Sequence, residues 1–511
     1  MGMSHMLRRT LRIAGLAALT IAGPAAGQAP QVTIDTGALR GARSGETLVF
    51  KGIPYAAPPV GALRWRPPAM PAAWVGTRDA SRFGAACPQG PEHKEPWAQV
   101  GPQSEDCLFL NVWRPARSGR YPVMVFIHGG GFTYGAAGVP LYDGEALAAR
   151  GAVIVTINYR LGRLGFFAHP ALTRESPEGR LGNYAIMDQI AALQWVKRNV
   201  AAFGGDPANV TVFGESAGAG SVQILMDSPD AKGLFHKAIS ESGAGSSALF
   251  PIRGGALNAE AVGQLWATSL GLPNATAEQL RAIPLADVVK NGRAFPFIDG
   301  RVVVHSPGEP FYRQAQLPIP LIIGGNSNES SLGGMTEAAA KALLGADFQP
   351  LLDGYVAMTG KPAAAAAVDL AEDTGFVLPS FALADQHAAA GHRAFVYYFD
   401  QVPVDQRATA AGADHGGEIE YVFGTKPVEH RWDARDAAVS KLMGDYWVRF
   451  ARTGDPNGGG TPHWPQATTL PTAYLAVGAT TKAARLQPVQ EKAKAAAMAD
   501  ARRKWAAMPR P

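Results

Sequence analysis

Nearly unbroken apolar runs recur along the chain at residues 108–113, 121–127, 152–157, 210–213, 318–323 and 394–399. Rich in β-branched and aromatic residues, they predict strands, of which 121–127 is of the type buried on both faces and 152–157 and 210–213 are buried too. A shorter strand and turn is expected at 237–243. Between them, residues 186–199 place Ile186, Ile190, Leu193 and Val196 on one helical face. Residues 436–452 read as another helix, closed by Gly454-Asp-Pro-Asn457. Strand and helix signals in alternation predict a mostly parallel sheet covered on both sides, with right-handed crossovers.

The remaining segments carry less regular patterns. Residues 31–34 and 47–50 alternate like small antiparallel strands at a sheet edge. The Pro-rich stretch 50–68 holds Ile53, Tyr55 and Trp65, so it should wrap the body as an ordered loop and not serve as a linker. Two stretches, 244–310 and 333–393, read as helical insertions without a clear strand. Residues 482–510 read as a solvated Ala-rich helix. No internal repeat or linker divides the chain.

Composition changes this picture mainly at the N-terminus. Arg8, Arg9 and Arg12 precede an apolar run from Ile13 to Ala22, and Gly23-Pro-Ala-Ala-Gly27 supplies a breaker and small residues. The run is too short to span a bilayer, and the expectation is a signal peptide over 1–27 followed by one domain over 28–511. Arg8-Arg9 is a poor match to a twin-arginine signal. The expected location is secreted or periplasmic, with no membrane span after signal removal. The full chain has 47 basic and 42 acidic residues, a formal charge of +5. Removing 1–27, with its three arginines and no acid, leaves 44 against 42, a charge of +2. No basic stripe points to nucleic acid. The two cysteines, Cys87 and Cys107, most simply form one disulfide in an exported protein, and neither has a second ligand at metal-finger spacing.

The chemistry centres on Gly214-Glu-Ser-Ala-Gly218, which follows the 210–213 strand and precedes a run of small residues that opens a helix. In that context Gly-x-Ser-x-Gly forms a nucleophile elbow, a sharp turn that lifts the serine above the sheet. A structural serine in a glycine turn is the plainer alternative. Acyl transfer through Ser216 also needs oxyanion donors, a base and an acid that orients the base. His128-Gly-Gly-Gly-Phe132 ends a buried strand and can offer backbone N–H groups; it lacks the Lys-Ser/Thr that would make it a phosphate loop. A late-loop histidine should be the base. His415 qualifies, with His305, His387, His392, His430 and His463 as rivals. Glu329 follows the 318–323 strand as the acid, with Asp299 and Asp385 as rivals.

The chain resembles the type-B carboxylesterases, the α/β-hydrolase family that includes cholinesterases and bacterial para-nitrobenzyl esterases. The likeness rests on Phe50-Lys-Gly-Ile-Pro-Tyr-Ala56, Glu105-Asp-Cys-Leu-Phe-Leu-Asn-Val-Trp113, the 128–132 run, Asn158-Tyr-Arg-Leu-Gly162, Gly182-Asn183, Asp188-Gln189 and Ala192-Leu-Gln-Trp-Val196. It continues through Phe203-Gly-Gly-Asp-Pro207, Phe213-Gly-Glu-Ser-Ala-Gly218, Gly325-Asn-Ser-Asn-Glu329, His415-Gly-Gly-Glu-Ile-Glu420 and Gly454-Asp-Pro-Asn457. The resemblance implies an α/β-hydrolase fold, a mostly parallel central sheet flanked by helices with helical insertions over the active site. It implies Ser216 as nucleophile, His415 as base and acid, Glu329 as orienting carboxylate, and the N–H groups of Gly130, Gly131 and Ala217 as oxyanion donors. A Cys87–Cys107 disulfide and buried Arg64–Glu105 and Arg160–Asp188 pairs follow from it too. Glu215, Trp97 and Phe132 are expected at the substrate pocket. Trp97 occupies the place of a choline-binding tryptophan, yet Ser330-Ser331-Leu332 lacks the cholinesterase aromatic. The expected reaction is cleavage of small-molecule carboxylic esters through an acyl-enzyme, without metal or organic cofactor. A catalytically silent binding or adhesion protein, and an amidase or thioesterase, are the alternatives.

Overall fold

The computed structural model describes residues 29–90, 99–176, 181–243, 245–290, 292–467 and 470–509. The expected signal segment therefore lies outside the described residues, as does Trp97.

In chain order the strands are β1 Gln31–Ile34, β2 Gly37–Arg40, β3 Ala42–Ser44, β4 Thr47–Pro54, β5 Thr77–Asp79, β6 Phe109–Pro115 and β7 Tyr121–Ile127, followed by β8 Val153–Ile157, β9 Gly205–Glu215, β10 Lys237–Glu241, β11 Leu321–Asn326, β12 Ala394–Phe399, β13 Ala473–Val477 and β14 Lys482–Arg485. An 11-stranded sheet has the order β14-β13-β12-β11-β10-β9-β7-β8-β6-β4-β3. From β8 through β13 every neighbouring pair is parallel, and both margins are antiparallel.

The central strands β7 and β8 are almost wholly apolar because helices cover both faces. Along β7, Val123, Val125 and Ile127 enter one core, while Met124 and Phe126 enter the other. The first core also receives Ile190, Leu193 and Val196 of the helix Tyr184–Asn199. The second receives Met443, Trp447 and Phe450 of the helix Ala434–Thr453. Ile53, Tyr55 and Trp65 are buried, as an ordered wrapping segment requires. Arg64 holds Glu105 bidentately at 2.5 and 2.7 Å and donates to the carbonyls of Arg281 and Ile283, tying this wrap to the first helical insertion. Arg160 grips Asp188 in the same way, at 2.7 and 2.8 Å, in full burial. Cys87 and Cys107 are disulfide-bonded.

Residues 31–34 form an antiparallel edge strand as expected, within a separate three-stranded sheet of order β1-β2-β5. One expectation needs correction. Residues 482–510 are not a solvated helix throughout. They begin with β14, and the helix Pro488–Ala507 buries Ala493, Ala497, Met498, Ala501 and Trp505. Its Lys494 is also buried, paired to Asp385 at 2.5 Å. Small residues let this helix lie close against the body, so alanine richness marks packing here and not solvation. β13, Ala473-Tyr-Leu-Ala-Val477, is a five-residue apolar run in which two alanines weaken the strand signal.

Candidate active site

The parallel register brings the candidate residues together. Ile127 pairs with Gly214, Glu215 with Glu241, and Glu241 with Gly324, so these strands end side by side. Loops leaving the carboxyl ends of parallel strands meet in one crevice. That crevice receives the glycine run after β7, Ser216 after β9, Ser242 after β10, Glu329 after β11 and the His415 loop after β12.

Ser216 has φ 57° and ψ −120°, a left-handed conformation for a residue with a side chain. The helix Ala217–Leu225 starts immediately after it. Its glycine neighbours are required by contact: a Cβ on Gly218 would lie 1.9 Å from Ile127 O, and one on Gly214 would lie 2.7 Å from it. The Ser216 N–H donates to Glu241 O at 2.8 Å, which fixes the elbow to the neighbouring strand.

The glycine run lies against this turn. A Cβ on Gly129 would be 3.1 Å from Ser216 Cβ and 2.4 Å from Glu215 Oε2. Gly130, Gly131 and Phe132 have φ of 100°, 57° and 61°, and Gly130 O accepts the N–H groups of Thr133 and Tyr134, which closes the loop. Beneath it His128 is fully buried, stacked on Tyr159 at 4.4 Å. Burial holds its imidazole down, at about 4, so it is a neutral prop. Among the described residues, the N–H groups of Gly130, Gly131 and Ala217 donate no hydrogen bond.

His415 Nδ1 is hydrogen-bonded to Glu329 Oε2. The other oxygen of Glu329 accepts from Ser242 Oγ at 2.6 Å and Asn326 N at 2.8 Å, so the carboxylate has one orientation. The two loops are stitched together by Asn328 N to Ala413 O, Asn326 Nδ2 to Asp414 O and Asn328 Nδ2 to Asp414 Oδ1. His415 N also donates to Ser331 Oγ at 2.9 Å. Nε2 lies 3.0 Å from Glu215 Oε1 without the alignment of a hydrogen bond, and both atoms are left without a hydrogen-bond partner. Burial pushes the imidazole pKa down, but the Glu215 and Glu329 carboxylates outweigh it and hold it well above the usual histidine value.

Two further acids surround this pair. Glu418 receives Asn326 Nδ2 at 2.5 Å and Tyr397 OH at 3.3 Å; burial and repulsion from Glu215 push its carboxyl up to about 8. Glu241 is buried and accepts Trp447 Nε1 at 2.5 Å; burial and Glu418 push it well up. Both carboxyls are thus pushed toward the neutral form, which limits the charge that His415 must balance. Sequence reasoning assigned no role to Glu241, Ser242, Asn326 or Glu418. Their signal was position, a polar residue just past a buried parallel strand or within the histidine loop.

The rival groups are engaged elsewhere. His305 pairs with Asp227, His430 with Glu420, and His387 with Ile319 O, its ring 5.0 Å from that of His392. His463 sits beside Trp464, in the loop before β13. Asp299 binds Asn183 and backbone N–H groups, and Asp385 binds Lys494 and Thr472. Phe132 packs edge-on to Phe166 at 5.2 Å.

A large sheet with a parallel centre, flanked by helices and topped by an elbow serine at its carboxyl edge, defines the α/β-hydrolase fold. The chain belongs to the carboxylesterase family, whose sequence profile matches residues 28–353 and 354–498, and it is a carboxylic ester hydrolase. It is similar to a fumonisin B1 esterase of Sphingopyxis macrogoltabida, 38% identical over 458 residues, covering 84% of this chain and 83% of that one. It is similar also to carboxylesterase 1D of Rattus norvegicus, 35% identical over 501 residues and 86% of each chain. Among solved structures, two PNB esterases, one of them thermophilic, give TM-scores of 0.77 and 0.78. Each is 32% identical, with 91% of this chain and 99% of the other covered. Small-molecule esters are thus the substrate class. Among the described residues, no helix is long and apolar enough to cross a membrane.

Proposed function

We propose that the chain cleaves carboxylic esters through an acyl-enzyme on Ser216, with His415 and Glu329 completing a triad. Ser216 Oγ attacks the ester carbonyl and gives its proton to His415 Nε2, which leaves Glu215 to receive it. The N–H groups of Gly130, Gly131 and Ala217 hold the tetrahedral oxyanion. His415 then protonates the departing alcohol. Water, deprotonated by the same nitrogen, attacks the acyl carbon, and His415 returns that proton to Ser216 Oγ as the acid is freed. Glu329 keeps the imidazole in the tautomer and orientation this needs and stabilises its cationic form. Glu215 stabilises the imidazolium while it forms within each half-reaction.

The observation that supports this reading best is the set of three N–H groups without partners beside a left-handed serine. Donors left open in this way are aimed at a charge that develops only during reaction. The test is a Ser216→Ala protein with a short para-nitrophenyl ester: activity should vanish, and full retention would sink the mechanism. A matched amide, cleaved far more slowly than the ester, separates an esterase from an amidase. We further propose export with removal of residues 1–27, which N-terminal sequencing of the mature protein checks.

A further inference from the structure

The second helical insertion reaches the site through an irregular turn. Helices Ala363–Glu372 and Leu378–Ala389 are joined by a π-helical turn, Asp373–Val377, in which the Leu378 N–H donates to Asp373 O five residues back. A single π turn inside an α-helix is rare and has to be held by its surroundings. Here it is held from several sides. Thr374 Oγ donates to Leu370 O at 2.6 Å and Ser380 Oγ to Phe376 O at 3.4 Å, serving carbonyls that the widened turn disturbs. Tyr355 OH at 2.5 Å and Gln490 Nε2 at 3.3 Å both donate to Asp373 Oδ2, anchoring the turn to two other helices.

What the turn presents is aimed at His415 and Glu329. The ring of Phe376 stands edge-on to His415, centroids 5.3 Å apart and planes at 85°. Glu372, one residue before the turn, accepts the N–H of Ser330, the residue after Glu329, at 3.2 Å. Val377 lies 3.5 Å from the Cβ position of Gly325. Gly375 makes no such contact, since a Cβ there would meet nothing within 4 Å.

We propose that the π turn is a positioning device for the general base: its extra residue pushes Phe376 out against His415, and that ring holds the imidazole in place as Nε2 passes between Glu215 and Ser216. Phe376 is a positioning residue that acts through His415. The imidazole has a hydrogen bond on one nitrogen only, so without a wall on its face it can pivot about the Glu329 bond. The proposal rests on the triad reading, and its test keeps the two apart.

The experiment compares Phe376→Ala, Phe376→Leu and deletion of Gly375, with turnover expressed per active site titrated by an organophosphate. Phe376→Ala should lower kcat by about tenfold or more, the scale of a misplaced catalytic group, with KM changed by less than about twofold. Removing the ring also admits water to an imidazole whose burial favours the neutral form, so the acid limb of activity should move to higher pH. Phe376→Leu should recover most of kcat. Deleting Gly375 lets the turn tighten to α geometry and withdraw the ring, and it should reproduce the Phe376→Ala kinetics. A folded Phe376→Ala protein with wild-type kcat per titrated site and an unmoved acid limb overturns the proposal, whatever the deletion does. Activity persisting in Ser216→Ala would instead remove the triad reading beneath it.

Discussion

Replacing Glu215 by glutamine removes one charge and no volume from beside His415. The Nε2–Oε1 approach is 3.0 Å, and the Glu215 carboxylate favours the imidazolium most strongly, opposed by burial. With charge centres about 4 Å apart and an effective dielectric near 20, the attraction is worth about 4 kcal/mol. That corresponds to about three pKa units, and even a third of it displaces the titration by about one unit. The sign follows from the role: the base works when neutral, so activity is present above the His415 pKa and is lost as pH falls through it. Loss of Glu215 favours the neutral imidazole, and the acid limb of kcat/KM, which reports the free enzyme, should move to lower pH by about one unit or more. The assay is the pH profile of kcat/KM for a short neutral ester, with Glu215→Asp as the variant that keeps the charge. An acid limb that stays in place in Glu215→Gln, or moves upward, would refute the electrostatic reasoning.

Other consequences are structural or kinetic. Arg160→Leu leaves Asp188 buried without its guanidinium, and urea unfolding should show a loss of about 3–5 kcal/mol; an unchanged midpoint would mean the pair is not structural. Replacing Cys87 and Cys107 together by serine reopens a loop with a sequence separation of 20 and should cost about 3 kcal/mol by the same measurement. Gly130→Ala would set a Cβ 2.1 Å from Tyr134 O, so the loop must shift. If the Gly130 N–H holds the oxyanion as proposed, kcat on esters should fall by about 10²–10³, the cost of one lost donor, with KM little changed.

The sheet was legible because strands 121–127, 152–157 and 210–213 are covered on both faces, which leaves no room for polar alternation. Ser216, Glu329 and His415 were legible because glycines or a buried strand set each apart, and their convergence follows from parallel register. β13 was not, and the helix Pro488–Ala507 was legible as a helix but not as a buried one, since alanine carries a weak pattern and the packing depends on tertiary contacts. The π turn left no trace: Asp373-Thr-Gly-Phe-Val377 reads as ordinary helix with one glycine, and its geometry comes from Tyr355, Gln490 and Ser380, whose contacts only the fold brings about. Glu241 and Glu418 were readable as acids but not as acids with raised pKa values, because that shift depends on burial and on the carboxylates nearby.

The central claim is that Ser216 carries the acyl group. It is tested most directly by inactivating the folded enzyme with an organophosphate and locating the adduct by peptide mass spectrometry. The account predicts one equivalent per chain, on the peptide containing Gly214-Glu-Ser-Ala-Gly218, in step with loss of esterase activity and absent from Ser216→Ala. Inactivation with the adduct on another residue, or full labelling of Ser216 with activity intact, would contradict it.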